Sequence, residues 1–189
     1  AISRLVRMAV ESGPTPLGTP LPHATLPDIA GRDVVLADYA DGHVLLVAFC
    51  ANHCPYVQWV EPQLAAIAAE FDGLRIVAIC SNDADGYALD APAGLRTQAL
   101  RAGWSFPYLI DASQDVAQAF GAVCTPDFFL YDRAGTLQYR GALDASSPKN
   151  GLPLTGDLLR RAIAQVMAGE PVPPPHRPAM GCSIKWITS

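Results

Sequence analysis

The sequence predicts a three-layer α/β domain, a central mixed β-sheet flanked by helices on both faces. Three observations predict it. The segments "HVLLVAFC" (43–50) and "LRIVAIC" (74–80) are apolar throughout rather than alternating, as strands covered on both faces are. Stretches with helical spacing of apolar residues follow each of them, which makes the connections parallel crossovers. Further on, "DFFLYDRAGTLQYRG" carries two short strand patterns around the polar turn "DRAG", an antiparallel hairpin.

In chain order, the Pro/Gly-rich entry "SGPTPLGTPLPHATLPDIAG" leads to the strand at 43–50. Pro55 suits the first position of a helix reaching about Phe71, with Val57, Val60, Leu64, Ile67 and Ala68 at helical spacing. The strand at 74–80 is stopped by "SNDADG". A shorter helix opens at Pro92, with Leu95 and Leu100 as expected anchors. "PYLID" (107–111) is a third strand, and "SQDVAQAFG" a short helix with Ser113 as N-cap and Gly121 past its end. The hairpin pairs 127–131 with 136–140. The helix in "TGDLLRRAIAQVMAG" presents Leu158, Leu159, Ala162, Ile163, Val166 and Met167 on one face. The tail opens as a stiff polyproline segment and ends in a short apolar stretch.

A chain of 189 residues, half of them apolar and 16% charged, is expected to form one core. It divides into an N-terminal extension (1–16), the domain (17–169) and a Pro-rich tail packing on it (170–189). The net charge of −5 argues against nucleic acid as a partner, since phosphate binding needs clustered cations. No apolar run is long enough to span a bilayer, and no membrane partner is expected. The first residues mix arginines with apolar side chains without a signal-type apolar core, so a cytoplasmic location is expected.

The chemistry must lie among five cysteines at positions 50, 54, 80, 124 and 182, an odd number that suits a disulfide framework poorly. Cys54 stands at a strand-to-helix junction just before Pro55. Unpaired N–H groups and the positive end of the helix dipole favour a thiolate there, the nucleophilic and metal-binding form. His53 beside it can raise the thiolate fraction, donate a proton or ligate a metal. Cys80 ends a buried strand and reads as packing. Tyr56, Trp59 and Trp104 are candidates to wall a pocket, and Asp127 and Asp132 read as strand-edge and turn polarity.

The stretch "FCANHCPYV" resembles the F-W-A-x-W-C-P-P-C segment of thioredoxin-like reductases. Phe49, Ala51, Cys54 and Pro55 match in turn, with Cys54 as the attacking cysteine and Val57 where the second cysteine would be. "CTPDFFL" resembles that family's Thr-Pro segment, whose proline is cis and whose loop lies against the active cysteine. The resemblance runs from about Leu17 to Leu159. It is nearest to a redoxin group related to alkyl hydroperoxide reductase and thiol-specific antioxidant, with the pattern CNHCPYV…CTPDFFL…GCSIKW. It implies a thioredoxin-like fold and a substrate site shaped by Thr125, Pro126, Pro55 and Tyr56. The chain departs from that pattern at Ala51, where the group has cysteine. Cys50 stands one residue earlier, and on a strand that shift turns the side chain to the other face.

The leading expectation is a thiol-based oxidoreductase without a cofactor. Cys54 would attack a small thiol's disulfide, a protein disulfide or a peroxide, to be resolved by Cys124, Cys182 or an external thiol. Cys124 is the first partner to seek, because the Thr-Pro loop carries it toward Cys54. Cys182 rides on the C-terminal arm. The alternative is a copper- or zinc-binding protein on the same fold, with a soft site at Cys54, Cys124 and Cys50. Sco-type copper chaperones resemble this region in the C-x-x-x-C-P spacing, although in register their second cysteine falls at Gln58. A third reading is a degenerate redoxin acting as a binding module, with "GCSIKW" as a docking element. A homodimer is left open.

Overall fold

The computed structural model describes residues 9–188. Residues 1–8 of the expected N-terminal extension, and Ser189 at the end of the tail, lie outside the described residues. After a short strand β1 (Ala9–Glu11), β2 (Thr25–Pro27) and β3 (Asp33–Val35) form a small antiparallel ribbon that leads into helix α1 (Leu36–Ala40). None of these is legible as a sequence pattern, because each is five residues or shorter. The core then builds from β4 (Val44–Phe49), helix α2 (Pro55–Glu70), β5 (Leu74–Cys80), helix α3 (Pro92–Ala102), β6 (Tyr108–Ile110) and helix α4 (Asp115–Phe120). It closes with β7 (Cys124–Thr125), β8 (Asp127–Tyr131), β9 (Leu137–Gly141), helix α5 (Asp157–Met167) and β10 (Met180–Ser183).

The central sheet has the order β6-β5-β4-β8-β9, with β4, β5 and β6 parallel and β8 and β9 antiparallel. Strand β4 is buried along its whole length and shows why the fold has three layers. Val44, Leu46 and Ala48 face one cluster with Val57, Leu64 and Ile67 of α2 and Leu159 and Ile163 of α5. Leu45, Val47 and Phe49 face a second cluster with Leu36 of α1 and Val116 and Phe120 of α4. The continuous apolar run is thus the sum of two alternating faces, each with its own helices.

Three expectations are corrected. Leu100 is 84% exposed and anchors nothing, whereas Leu95 is fully buried. The cap of α4 is not Ser113: Gln114 takes the N-cap position with φ 70°, and the Asp111 carboxylate accepts the N–H groups of Val116 and Ala117 at 3.3 and 2.9 Å. Asp132 holds the hairpin turn as expected, accepting from Ala134 and Thr136. Asp127, read as strand-edge polarity, is instead fully buried and paired with Arg140 at 2.9 Å. The Arg140 guanidinium also donates to Gly121 O and the Thr15 hydroxyl and lies 4.6 Å from the Phe129 ring centroid. This pair ties β9 to the start of β8 and to the loop after α4.

A second strand triplet, β1-β10-β7, lies at the carboxyl end of the parallel strands. It places the chain's tail on the domain. No helix among the described residues is long and apolar enough to cross a membrane.

Breaking one half of a buried ion pair leaves an uncompensated charge, which costs about 3–5 kcal/mol. Arg140→Met should therefore lower unfolding stability by about that amount in denaturant melts. Adding Asp127→Asn, which removes the stranded charge, should recover part of the loss.

Candidate active site

The site follows from sheet topology. Because β8 runs antiparallel to β4, the start of β8 lies beside the end of β4, with Phe49 opposite Asp127. The residue before Asp127 is Pro126, and the Thr125–Pro126 peptide bond is cis. The chain leaving β4 turns through Asn52 and His53 into α2, so Cys54 at the tip of α2 meets the Thr125–Pro126 loop. In the thiol form Cys54 donates to Thr125 O at 3.3 Å. Cys54 occupies the N-cap position of α2 and Pro55 the first helical turn.

The tail then covers this point. β10 pairs antiparallel with β7, Cys182 directly opposite Thr125 and Ser183 opposite Cys124. Directly opposed residues of an antiparallel pair share a face. Thr125 and Cys182 therefore share one face of this ribbon, and Cys124 and Ser183 the other. Cys182 packs in the same apolar cluster as Cys54, and both are buried. Cys124 is buried too, but its sulfur bonds to Pro126 O at 3.7 Å.

Burial alone would push the Cys54 thiol up. The Cys182 S–H, the Thr125 hydroxyl and the main-chain N–H groups of Val57 and Cys182 outweigh it and hold the thiol at about 6. With Cys54 as a thiol the buried Thr125 hydroxyl is without a hydrogen-bond partner, which leaves its donor free for the thiolate. Cys182 moves the other way: the Cys54 sulfur raises it first, burial second, and the Tyr56 main-chain N–H and Lys185 only partly offset them. Burial also raises Cys124, Cys50 and Cys80, the last to about 12. Of the five sulfurs, Cys54 alone is held below the ordinary thiol range.

His53 is turned toward a different partner. Its Nδ1 lies 2.5 Å from Asp90 Oδ2, and its ring stacks at 4.9 Å on Tyr87. Asp90 also accepts the main-chain N–H groups of Asn52 and His53 and the Asn82 amide, so one buried carboxylate fixes the loop before Cys54. Behind that loop, Glu61 binds Arg101 at 2.6 Å and Gln98 at 3.1 Å; Arg101 and Gln98 in turn bond Asn52 Oδ1 and Ala51 O. Asp90, just before α3, and Glu61, inside α2, carry no distinctive sequence signal, and sequence reasoning missed both.

Beside the cis proline runs a groove of about 460 Å³, lined by Tyr56, Trp59, Pro126, Ser146, Arg177 and Met180 among others. Trp104 lies instead in the first core cluster, its indole N–H on Glu61 O at 3.1 Å. Among the described residues no group of three or more His, Cys, Asp or Glu side chains is arranged to hold a metal ion. Cys50, Cys54 and Cys124, the soft site envisaged for copper or zinc, are not brought together as one.

A model of the AhpC/TSA family matches residues 17–140. The chain belongs to the AhpC/TSA family. Two solved structures are 42% identical to it: an uncharacterised conserved protein of Geobacillus kaustophilus and a hypothetical protein of Sinorhizobium meliloti 1021. The first has a TM-score of 0.92 and covers 96% of this chain and 97% of its own. The second has a TM-score of 0.91 and covers 95% and 99%. A secreted Mycobacterium tuberculosis disulfide oxidoreductase, 18% identical, shares the thioredoxin-like fold at a TM-score of 0.60, over 75% of this chain and 95% of its own. No curated protein matches the chain significantly. The family model ends at Arg140, so the strand that brings Cys182 onto Cys54 lies beyond it.

Thiolate absorbance of Cys54 should appear with a midpoint near pH 6. Cys182→Ala, which removes a donor, should move that midpoint upward. The folded value lies below the unfolded one of ~8.5, so the ionised thiolate adds stability that is fully present above ~8.5 and lost as pH falls toward 6. Melting temperature should therefore rise between about pH 6 and 8 more steeply in the wild type than in Cys54→Ser. Parallel curves would contradict the lowered thiol.

Proposed function

We propose that this AhpC/TSA protein is a thiol-based oxidoreductase in which Cys54 attacks a disulfide or a peroxide and Cys182 resolves the product. The observation that supports the reading is the register that sets Cys182 directly opposite Thr125, the residue whose carbonyl accepts the Cys54 S–H, with both cysteines in one buried cluster. Cys54 is the thiolate at neutral pH and Cys182 the thiol, which sets the order of attack.

With a disulfide, the Cys54 thiolate forms a bond to one sulfur and the other leaves as a thiolate. With a peroxide, Cys54 takes the terminal oxygen as a sulfenic acid, the O–O bond breaks, and the departing alkoxide takes a proton. Either product removes the negative charge from Cys54. That charge and its hydrogen bond are what raise Cys182, so the second thiol becomes more acidic once the first has reacted. The Cys182 thiolate then attacks the Cys54 sulfur. It forms the internal disulfide and expels the remaining thiolate or, from the sulfenic acid, hydroxide, which takes a proton from solvent and leaves as water. An external dithiol restores both thiols. Partners are accordingly a peroxide, a small thiol or a protein disulfide.

Cys54→Ser should abolish turnover with either oxidant. Cys182→Ser should still react once but stop at a stable adduct on Cys54, visible by intact mass, where the wild type loses both thiols as a disulfide. Cys124→Ser should still form that disulfide. A Cys54–Cys124 disulfide in the oxidised wild type would reassign the resolving role.

A further inference from the structure

Two stretches of chain leave the carboxyl ends of the neighbouring parallel strands β4 and β5, residues 51–54 and 81–85. The first delivers Cys54. The second receives the tail just beyond Cys182. Lys185 donates its N–H to Asn82 Oδ1 at 2.8 Å, and the Asp83 N–H donates to Lys185 O at 2.9 Å.

One buried carboxylate joins the two stretches. Asp90 stands two residues before Pro92, where α3 opens, and is 2% exposed. Its Oδ1 accepts the main-chain N–H groups of Asn52 and His53 at 2.7 and 3.2 Å. Its Oδ2 accepts from His53 Nδ1 at 2.5 Å and from the Asn82 amide at 3.0 Å. A carboxylate serves all four donors because both of its oxygens accept and neither carries a proton. Among the described residues no other side chain hydrogen-bonds to both stretches. The bonded chain thus runs from the residue before Cys54, through Asp90 and Asn82, to the third residue after Cys182. Weaker contacts bridge the same gap: the Tyr87 ring lies 4.9 Å from that of His53 and 5.9 Å from Lys185 Nζ.

We propose that Asp90 is a positioning residue for the closing step of the thiol chemistry, tying the Cys54 loop to the segment that carries Cys182 so that the two sulfurs meet in bonding geometry. This rests on the reading of Cys54 as the attacking thiol and Cys182 as the resolving one. In the closing step a bond forms between the two sulfurs, and the group on Cys54 leaves with the electron pair. Disulfide geometry is narrow, and a misplacement of ~1 Å can slow a positioned reaction by about 10²-fold. A tie that fixes both sulfur-bearing segments therefore acts on closing more than on the first attack, which uses Cys54 and an outside partner.

Asp90→Asn separates the two arms of the tie. Asparagine keeps one oxygen for the Asn52 and His53 N–H groups but sets an NH2 where Oδ2 stood. His53 can adapt by carrying its proton on Nε2 and accepting at Nδ1. Asn82 cannot: its NH2 then faces another NH2, and turning its amide over withdraws the oxygen from the Lys185 N–H. Asn82→Ala cuts the same arm. A small symmetrical aryl disulfide reads both steps on the full chain, because the first attack releases one aryl thiolate and closing releases the second. The ratio of the closing rate to the first-attack rate should fall ~10-fold in each variant. The double variant should fall no further, since the two residues act in one chain. An unchanged ratio, or falls that add, overturns the positioning role and leaves the thiol chemistry standing. If circular dichroism shows Asp90→Asn unfolded, Asn82→Ala decides by the same ratio. If the wild type releases only one aryl thiolate and forms no Cys54–Cys182 disulfide by mass, the reading beneath the proposal falls and the proposal with it.

Discussion

The pairing of Cys182 with Thr125 decides what Cys54 can be. A thiol removed from water at a helix tip would ordinarily be harder to ionise, because burial penalises the charged form. Here the groups brought to the sulfur include the Thr125 hydroxyl and the Val57 N–H from the domain, and the S–H and N–H of Cys182 from the tail. Hydrogen bonds to charged groups contribute about 1.5–3 kcal/mol each. Several together outweigh desolvation and lower the thiol to about 6. Two of the four donors arrive only because β10 adds to β7.

The supporting structure serves to keep that edge in place. Asp127 follows the cis proline directly, and its buried pairing with Arg140 holds the start of β8 against β9 and the Gly121 loop. On the other side, Asp90 gathers the Asn52 and His53 main chain, and Glu61 with Arg101 and Gln98 braces the same loop from behind. Buried polar networks of this kind are costly when broken and rigid when complete. Both of them bear on the two stretches of chain that meet at the Cys54 sulfur, which keeps donors within reach of a thiolate that could not reorganise water around itself.

The core strands and long helices were legible because each carries a local signal: an apolar run in β4 and β5, helical spacing in α2 and α5, a hairpin turn at Asp132. So was the helix-tip position of Cys54, by its place before Pro55, and the cis Thr125–Pro126 bond followed from the resemblance to thioredoxin-like reductases. What was not legible depends on partners far along the chain. β10 has four residues and exists only as the neighbour of β7 and β1. Cys124 lies nearest the Thr-Pro loop in sequence, yet strand alternation assigns it and Cys182 to opposite faces of the ribbon, and only the register with β10 reveals that. Asp127 looked like edge polarity because Arg140 lies across a hairpin. Leu100 matched the helical spacing but lies on the solvent side of a short helix.

The same register bears on how far family membership reaches. The part of the chain that the AhpC/TSA model matches supplies the fold, the helix-tip thiol and the cis proline. Those features bring a reactive sulfur to a strand edge and leave open what meets it there. Cys182, the glycine before it and the strand that covers Cys54 all come from residues after the matched part ends. Two proteins can therefore share the matched domain and differ in whether their nucleophile is open or sealed, and in whether the second sulfur is internal. In this chain both the burial of Cys54 and the placing of a second sulfur opposite Thr125 depend on β10, a strand that the matched domain does not include.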